Sequence, residues 1–246
     1  MTDNIVAQAF VWLNDPLNWS GPDGIPIRTT EHLIMSAVAV LLAAVIALPI
    51  GIWLGHRGRG GAATVAMANT SRALPTLALL VIFASTAIGF GDRPTVLAAA
   101  IFAVPPILTN TYAGLLEVDR DVRESARGMG MSGQRSLALV EIPLAAPLIG
   151  AGLRTATIQV IATIPLAGLV GGGGLGPIII TGLATRRFGE VLAGGALVAG
   201  LCLVAEGVLA AGQRLLTPRP MRSTRRRGRG GAVVGTARAR SRPVGS

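Results

Sequence analysis

The residues able to do chemistry are few, and their types and spacing exclude more than they permit. All 22 basic residues are arginine. The phosphate-cradling loop GxxxxGK(S/T) needs a lysine to reach the phosphates, so this chain cannot build that ATP site. Any ATP-driven work must come from a partner. Cys202 is the single cysteine and sits in an apolar run, so it forms no internal disulfide and no metal set. His32 and His56 lie far apart, at opposite ends of another apolar run. No HExxH pattern, Ser-His-Asp set or carboxylate pair within an apolar run is present. The expectation is a chain that is not an enzyme and that holds no metal and no cofactor of its own.

The charged residues that do cluster lie between Glu117 and Pro147. Asp121 with Glu124 three residues later resembles a capping box, which starts a helix. Val118, Val122, Ala126 and Met129 then share one helical face. Gly130 suits the helix C-terminus, because glycine accepts the left-handed conformation there. Ser132 can cap a second helix, with Leu137, Val140 and Leu144 along one side. Pro143 stops or bends that helix ahead of Pro147. A compact, charged, helical knob fits a partner's groove. The plainer alternative is an ordinary amphipathic loop.

The elements that must position this knob are apolar runs. Hydrophobic residues make up 51% of the 246 and charged ones 14%, against about 25% charged in soluble domains. A bilayer core of ~30 Å needs about 20 apolar residues in a helix. Five runs qualify: Leu33 to Leu54, Ala62 to Phe90, Thr95 to Leu116, Leu148 to Val170, and Val191 to Leu215. The second is too long for one untilted span and carries Asn69, Arg72 and Pro75 in its first half, so it reads as one crossing with a broken half, kinked near Pro75. The fold class is an all-α polytopic membrane protein with about five transmembrane helices, or six if the broken run counts twice.

Arginine placement orients the chain. With the N-terminus outside, sixteen arginines fall in cytoplasmic segments and four outside, and the loops alone give six against four. Residues 1–30 form an extracytoplasmic segment without the features of a cleavable signal peptide, 31–216 the transmembrane domain, and 217–246 a disordered cytoplasmic tail. Ten arginines follow residue 213. Such a tail reads as solvated chain near anionic lipid rather than as a nucleic-acid site. Ile5, Val6, Ala9, Phe10 and Leu13 share a helical face near Trp12 and Trp19. They read either as a short helix on the outer interface or as an ordered loop.

Four consecutive glycines, Gly171, Gly172, Gly173 and Gly174, precede Leu175 and Gly176. At roughly 1 kcal/mol each relative to alanine they make a poor helix. Non-helical backbone at membrane depth is tolerated only against protein or a water-filled cavity. The run is expected to break the chain at the outer end of a pathway. Pro177 to Gly182 then reads as a re-entrant half-helix, or as part of a plain external loop. Arg72 is costly in lipid. With Asn69, Pro75 and Thr76 it is a candidate pathway or gate element, or else it snorkels to the headgroups. Glu206, midway along the last run, either pairs within the bundle or lies at a subunit interface.

Glu124-Ser125-Ala126, then Gly130, then Ile142-Pro143 resembles the EAA loop of bacterial ABC importer permeases, with serine in place of the first alanine. Arg154 to Thr157 followed by the Gly171 to Gly176 run is similar to methionine-type and osmoprotectant-type permeases. Asn69 to Leu80, and Asn110 to Asp119, resemble the osmoprotectant branch. Together these stretches span residues 30 to 215. The resemblance implies a type I importer permease fold in a bacterial plasma membrane. It implies that Glu124, Ala126, Gly130, Ile142 and Pro143 belong to a coupling loop, residues 117–147, docked into a cytoplasmic ATPase. That partner would use the ATP and magnesium.

The remaining partners implied are a second permease subunit, the same or a sister chain, and an extracytoplasmic solute-binding protein. The solute implied is glycine betaine, choline, carnitine or a proline-type compound. A methionine or other amino acid is the alternative, and a membrane-anchored basic interaction protein a more distant one. Quaternary ammonium groups are held by aromatic cages, and this chain has only nine aromatics. Recognition is therefore expected mostly in the binding protein.

Overall fold

A computed structural model describes residues 4–61, 64, 66 and 75–216, with the side chains of residues 215 and 216 left undescribed. Among the described residues every regular element is helical. The helices are α1 (Ile5–Asn14), α2 (Ile25–Arg57), α3 (Thr76–Ala84), α4 (Asp92–Leu116), α5 (Arg120–Gly128), α6 (Gly133–Ser136), α7 (Ile142–Thr163), α8 (Gly176–Ala184) and α9 (Phe188–Leu216). Among the described residues, four stretches are long and apolar enough to cross a membrane: Ile25–Arg57, Asp92–Leu116, Gly133–Val170 and Phe188–Arg214. These match the first, third, fourth and fifth expected runs. Most of the first half of the second run lies outside the described residues, with Asn69 and Arg72 in it, and so does the arginine-rich tail 217–246.

Helices α2, α4 and α7 form the core. Ala39, Ala43, Ala47, Gly51 and Gly55 recur every fourth residue, so they line one face of α2, and all are buried. Against them lie Ala99, Ala103, Ile107, Leu108, Thr111 and Leu115 of α4. A Cβ built on Gly51 would come within 2.9 Å of Thr111 Cβ, and one on Gly55 within 2.5 Å of Leu115 Cβ. Small residues let two backbones approach where lipid supplies no hydrophobic drive. Helix α7 uses the same device on the other side of α4: a Cβ on Gly152 would meet Asn110 Cβ at 2.7 Å.

Helix α2 begins at Ile25, eight residues before Leu33, where its expected run began. Its first turns carry Arg28, Glu31 and His32, which find partners rather than lipid. Arg28 pairs with Asp23 and Glu31, and His32 is fully buried. At its far end Gly58 takes a left-handed conformation (φ 61°) and closes the helix. Arg57 stacks 4.5 Å from the Trp53 ring centroid.

The segment between Leu116 and α7 differs from expectation in two ways. Asp119, not Asp121, is the N-cap of α5: its Oδ1 accepts the Asp121 N–H at 2.9 Å. Of the two expectations for Pro143, that it stops or that it bends the second helix, the first is excluded. A π-helical turn over Leu137–Glu141 runs straight into α7, with the Ile142 N–H reaching back to Leu137 O. Proline lacks an N–H and crowds the carbonyl four residues back. Here the widened turn lies immediately before it, and Pro143 falls in the first turn of α7.

Residues 5–14 are helical, which decides between the two readings of that segment. Helix α1 lies against the first turn of α9, and a Cβ on Gly189 would reach Gln8 Cβ at 2.5 Å. Pro75 precedes α3 as its N-cap.

Candidate functional site

One end of the bundle carries α5. Asp119 caps its start, and its C-terminus closes in a Schellman turn. There the Met131 N–H donates to Ala126 O (3.2 Å), the Gly130 N–H donates to Arg127 O (2.9 Å), and Gly130 has φ 81°. Ala126 is buried, so a small side chain sits where α5 meets the bundle. Glu124 faces out and pairs with Arg120 at 2.9 Å; exposed pairs of this spacing contribute about 0.3–0.5 kcal/mol. Met129 is 71% exposed. Ser132 accepts the Arg135 N–H and caps α6, as its position suggested. Ile142 and Pro143 open α7.

Beneath α5 lies a polar cluster that spacing did not reveal. The Glu141 side chain, 3% exposed, takes a hydrogen bond from Ser136 Oγ at 3.2 Å. His56 Nδ1, at the end of α2, lies 2.9 Å from its other oxygen, and an Arg123 guanidinium nitrogen 3.5 Å away. Arg123 also donates to Leu115 O at the end of α4. One buried carboxylate thus joins α5 to the ends of α2, α4 and α7. Buried charges are kept only when paired and hydrogen-bonded, and this one has three partners. The one local signal was a lone carboxylate in an otherwise apolar Leu-Ala-Leu-Val-Glu-Ile-Pro stretch.

The other end carries the glycines. A 3₁₀ helix, Ile164–Val170, follows α7 and ends on Gly171 (φ 70°). The chain then turns irregularly into α8, so the run breaks the helix as composition demanded. Two of its amides are taken up by acids: Gly173 N–H donates to Asp92 Oδ1 (2.7 Å) and Gly174 N–H to Glu31 Oε2 (2.9 Å). Leu175 N–H lies 3.4 Å from His32 Nδ1, and His32 Nε2 lies 2.9 Å from Ile161 O. Nε2 is then the donor and Nδ1 the acceptor, which describes a neutral ring.

Side chains have no room along much of this loop. A Cβ on Gly173 would lie 2.6 Å from Glu31 Oε2, and one on Gly176 2.2 Å from Pro165 O. A cavity of about 470 Å³ opens beside it, lined by Arg28, Glu31, Asp92, Gly172, Gly173 and Thr181 among others. Pro75 and Thr76 do not join this group. Helix α3 brings its other end, Ala84, against Val170 and Ala98. Glu31, His32 and Asp92 were missed because each looks like a polar residue flanking an apolar run.

Between the two ends, Arg154 of α7 pairs with Glu206 of α9. Gln213 Oε1 lies 3.5 Å from the same guanidinium, and Gln213 Nε2 donates to Pro147 O at 2.8 Å. Of the two readings of Glu206, pairing within the bundle is the one observed.

Residues 47–220 match the family model described as binding-protein-dependent transport system inner membrane component. The chain is 38% identical over 192 residues to the glycine betaine/carnitine/choline transport system permease protein OpuCB of Bacillus subtilis (strain 168), covering 78% of this chain and 88% of that one. It is 39% identical over 194 residues to the choline transport system permease protein OpuBB of the same strain, covering 79% and 89%. It is 37% identical over 202 residues to the carnitine transport permease protein OpuCB of Listeria monocytogenes, covering 82% and 92%. Among solved structures, an inward-facing MetNI methionine ABC transporter chain superposes with TM-score 0.69 at 23% identity, covering 83% of this chain and all of that one. A chain of an amino acid ABC transporter crystallised with histidines superposes with TM-score 0.64 at 19% identity, covering 87% and 100%. At those identities the likeness is one of fold.

Proposed function

Because this chain belongs to the family of binding-protein-dependent transport system inner membrane components, we propose that it is the permease subunit of an ATP-driven importer for a small osmoprotectant of the glycine betaine, choline, carnitine or proline class. The observation that carries the reading is the identity of 38–39% with glycine betaine, carnitine and choline permeases over most of both chains. The fold likeness to a methionine transporter, at 23% identity, does not favour an amino acid over these solutes.

The geometry suits the part. The chain has no phosphate-binding loop, so a separate ATPase supplies the work. The surface offered to it is α5 with its exposed Glu124 and Met129 and its closed Gly130 turn. The Glu141 cluster is the rigid connection beneath that surface. When the ATPase dimer closes, a push on α5 passes through Arg123 and Glu141 to α2, α4 and α7 together. Four or five spans do not enclose a pore, so two permease subunits meet around the pathway. A binding protein delivers solute at the end where the glycine loop lies. The α5 end then faces the cytoplasm, as the arginine bias predicts.

The test is uptake of radiolabelled glycine betaine, choline, carnitine and methionine into proteoliposomes holding the chain with its cognate ATPase and binding protein. ATP-dependent uptake of at least one of the first three, and not of methionine, is expected. Uptake of methionine alone would overturn the assignment of solute.

A further inference from the structure

Resting on the permease reading above, we propose that the face of α7 bearing Arg154, Thr155 and Gln159, closed by Glu206 of α9, is a transit site for a small zwitterion inside the bundle. Arg154 lies 12 residues beyond Ile142 (154 − 142), about 18 Å along the helix at ~1.5 Å per residue. That is near the middle of a ~30 Å apolar core. Charged side chains at such depth do not face lipid; they face the bundle interior or water.

The pair is not sealed in packing. The Arg154 side chain is 33% exposed and that of Glu206 38%. The free surfaces of the other spans are built of large aliphatic side chains, such as Leu41 and Val45 of α2 and Leu203, Val204 and Val208 of α9. On α7, no large apolar side chain is exposed between Leu144 and Leu169. Its free face is Arg154, the exposed Thr155, Ile158 and Gln159. A cavity of about 340 Å³ opens there, lined by these four with Ala151 and Glu206. That volume is at the small end of ligand sites, which run from about 300 Å³ upward.

The chemistry fits a solute with one carboxylate and one cationic centre. A guanidinium fork binds a carboxylate through two parallel N–H···O bonds. Glu206 supplies the opposite charge for a quaternary ammonium, which has no N–H to donate. The Gln213 contact to Arg154 and to Pro147 holds the guanidinium in place. With solute absent the two charges neutralise each other; with solute between them each finds a partner. No aromatic side chain lines the cavity, so the site holds solute weakly, as transit requires, and leaves tight capture to the binding protein.

The test uses the reconstituted importer with this chain in a Cys202→Ser background, which removes the chain's only thiol, and labelling is read on this chain. Thr155→Cys should react with a charged, water-soluble methanethiosulfonate faster than Val45→Cys and Leu203→Cys, and glycine betaine should slow it. Arg154→Gln should lower glycine betaine uptake at subsaturating solute by about tenfold to a hundredfold, the loss expected for a charged hydrogen-bonding partner. It should lower choline uptake less, because choline has no carboxylate. Glu206→Gln should lower both. A purely structural pair would instead lose both solutes equally in each single variant and regain both in Arg154→Glu/Glu206→Arg. That pattern, or a Thr155→Cys no more reactive than Val45→Cys, overturns the site while leaving the permease reading standing. A wild-type importer that moves neither solute overturns the permease reading for this solute class, and the site with it.

Discussion

Replacing Glu141 by alanine should weaken the whole α5 end rather than one contact. The carboxylate is 3% exposed and meets Ser136, His56 and Arg123 at 3.2, 2.9 and 3.5 Å. Removing one member of a buried ion pair costs about 3–5 kcal/mol, because the partner is left charged and unpaired. The partners here are not fully buried: the Arg123 side chain is 18% exposed and that of His56 26%. Water can therefore reach both, and the low end, about 3 kcal/mol, is the expected loss. For a chain of this size about 1 kcal/mol moves a melting midpoint by about 2–4 °C, so the detergent-purified protein should melt about 6–12 °C lower. The decisive measurement is a double-mutant cycle with Arg123→Gln. If the two side chains act as one unit, the double variant loses less than the sum of the singles by more than about 0.5 kcal/mol. Simple additivity would refute the claim that Glu141 and Arg123 tie α5 to the bundle, whatever the size of each single effect.

Gly130→Asp should lose coupling without crowding anything, since no atom lies within 4 Å of a Cβ there and the penalty comes from φ 81° alone; the check is uptake per ATP hydrolysed in the reconstituted importer, with Gly130→Asn the milder of the two because asparagine tolerates the left-handed region. Gly55→Leu should destabilise by about 1–3 kcal/mol or more through overpacking against Leu115, read as a fall in melting midpoint, while Gly195→Ala, with open space around it, should not. Gly176→Ala should be poorly tolerated, because its Cβ would lie 2.2 Å from Pro165 O with backbone on the far side; loss of folded protein in fluorescence-detected chromatography is the readout. Deleting residues after Thr217 should leave uptake near the full-length level, and loss of all uptake would point to a role for the arginine-rich tail.

What could be read in advance was what depends on neighbours in the chain. Ser132 caps a helix and Gly130 ends one because each acts on backbone within four residues of itself. The glycine run ends the 3₁₀ helix that follows α7, and no regular helix resumes until Gly176, because propensity decides against four glycines. The N-cap of α5 lies two residues earlier than the capping-box pattern suggests: Asp119 precedes the helix and Asp121 sits in its first turn, and the two look alike in sequence because either type of position favours an acid. The start of α2 was set eight residues late because Arg28, Glu31 and His32 look like loop residues until their partners are known. Those partners are distant: Gly174 is 143 residues from Glu31 and Ile161 is 129 from His32. Glu141 is likewise 85 residues from His56. Nothing local encodes such pairings, and the same holds for the stripe of five small residues at every fourth position of α2, which acquires meaning only against α4.

The placement of charge separates the bundle's supports from its lumen. Apart from the group formed by Arg154, Glu206 and Gln213, the polar side-chain contacts described above that join distant segments sit at the two ends, where Glu141, Glu31 and Asp92 tie helices and loops together. Within the four described spans the interior of α2 from Leu33 to Leu54, and of α4 from Thr95 to Leu116, carries no charge at all. Helices held by alanine and glycine need none, because close packing already supplies the attraction. The mid-span charges are Arg154 and Glu206, on neighbouring helices, of opposite sign and each about a third exposed. If that pair served only to hold α7 to α9, small residues at the two positions would do so without the cost of desolvating charge. Two charges kept in the one place where they are most expensive, and left partly uncovered, are better explained by something that passes between them.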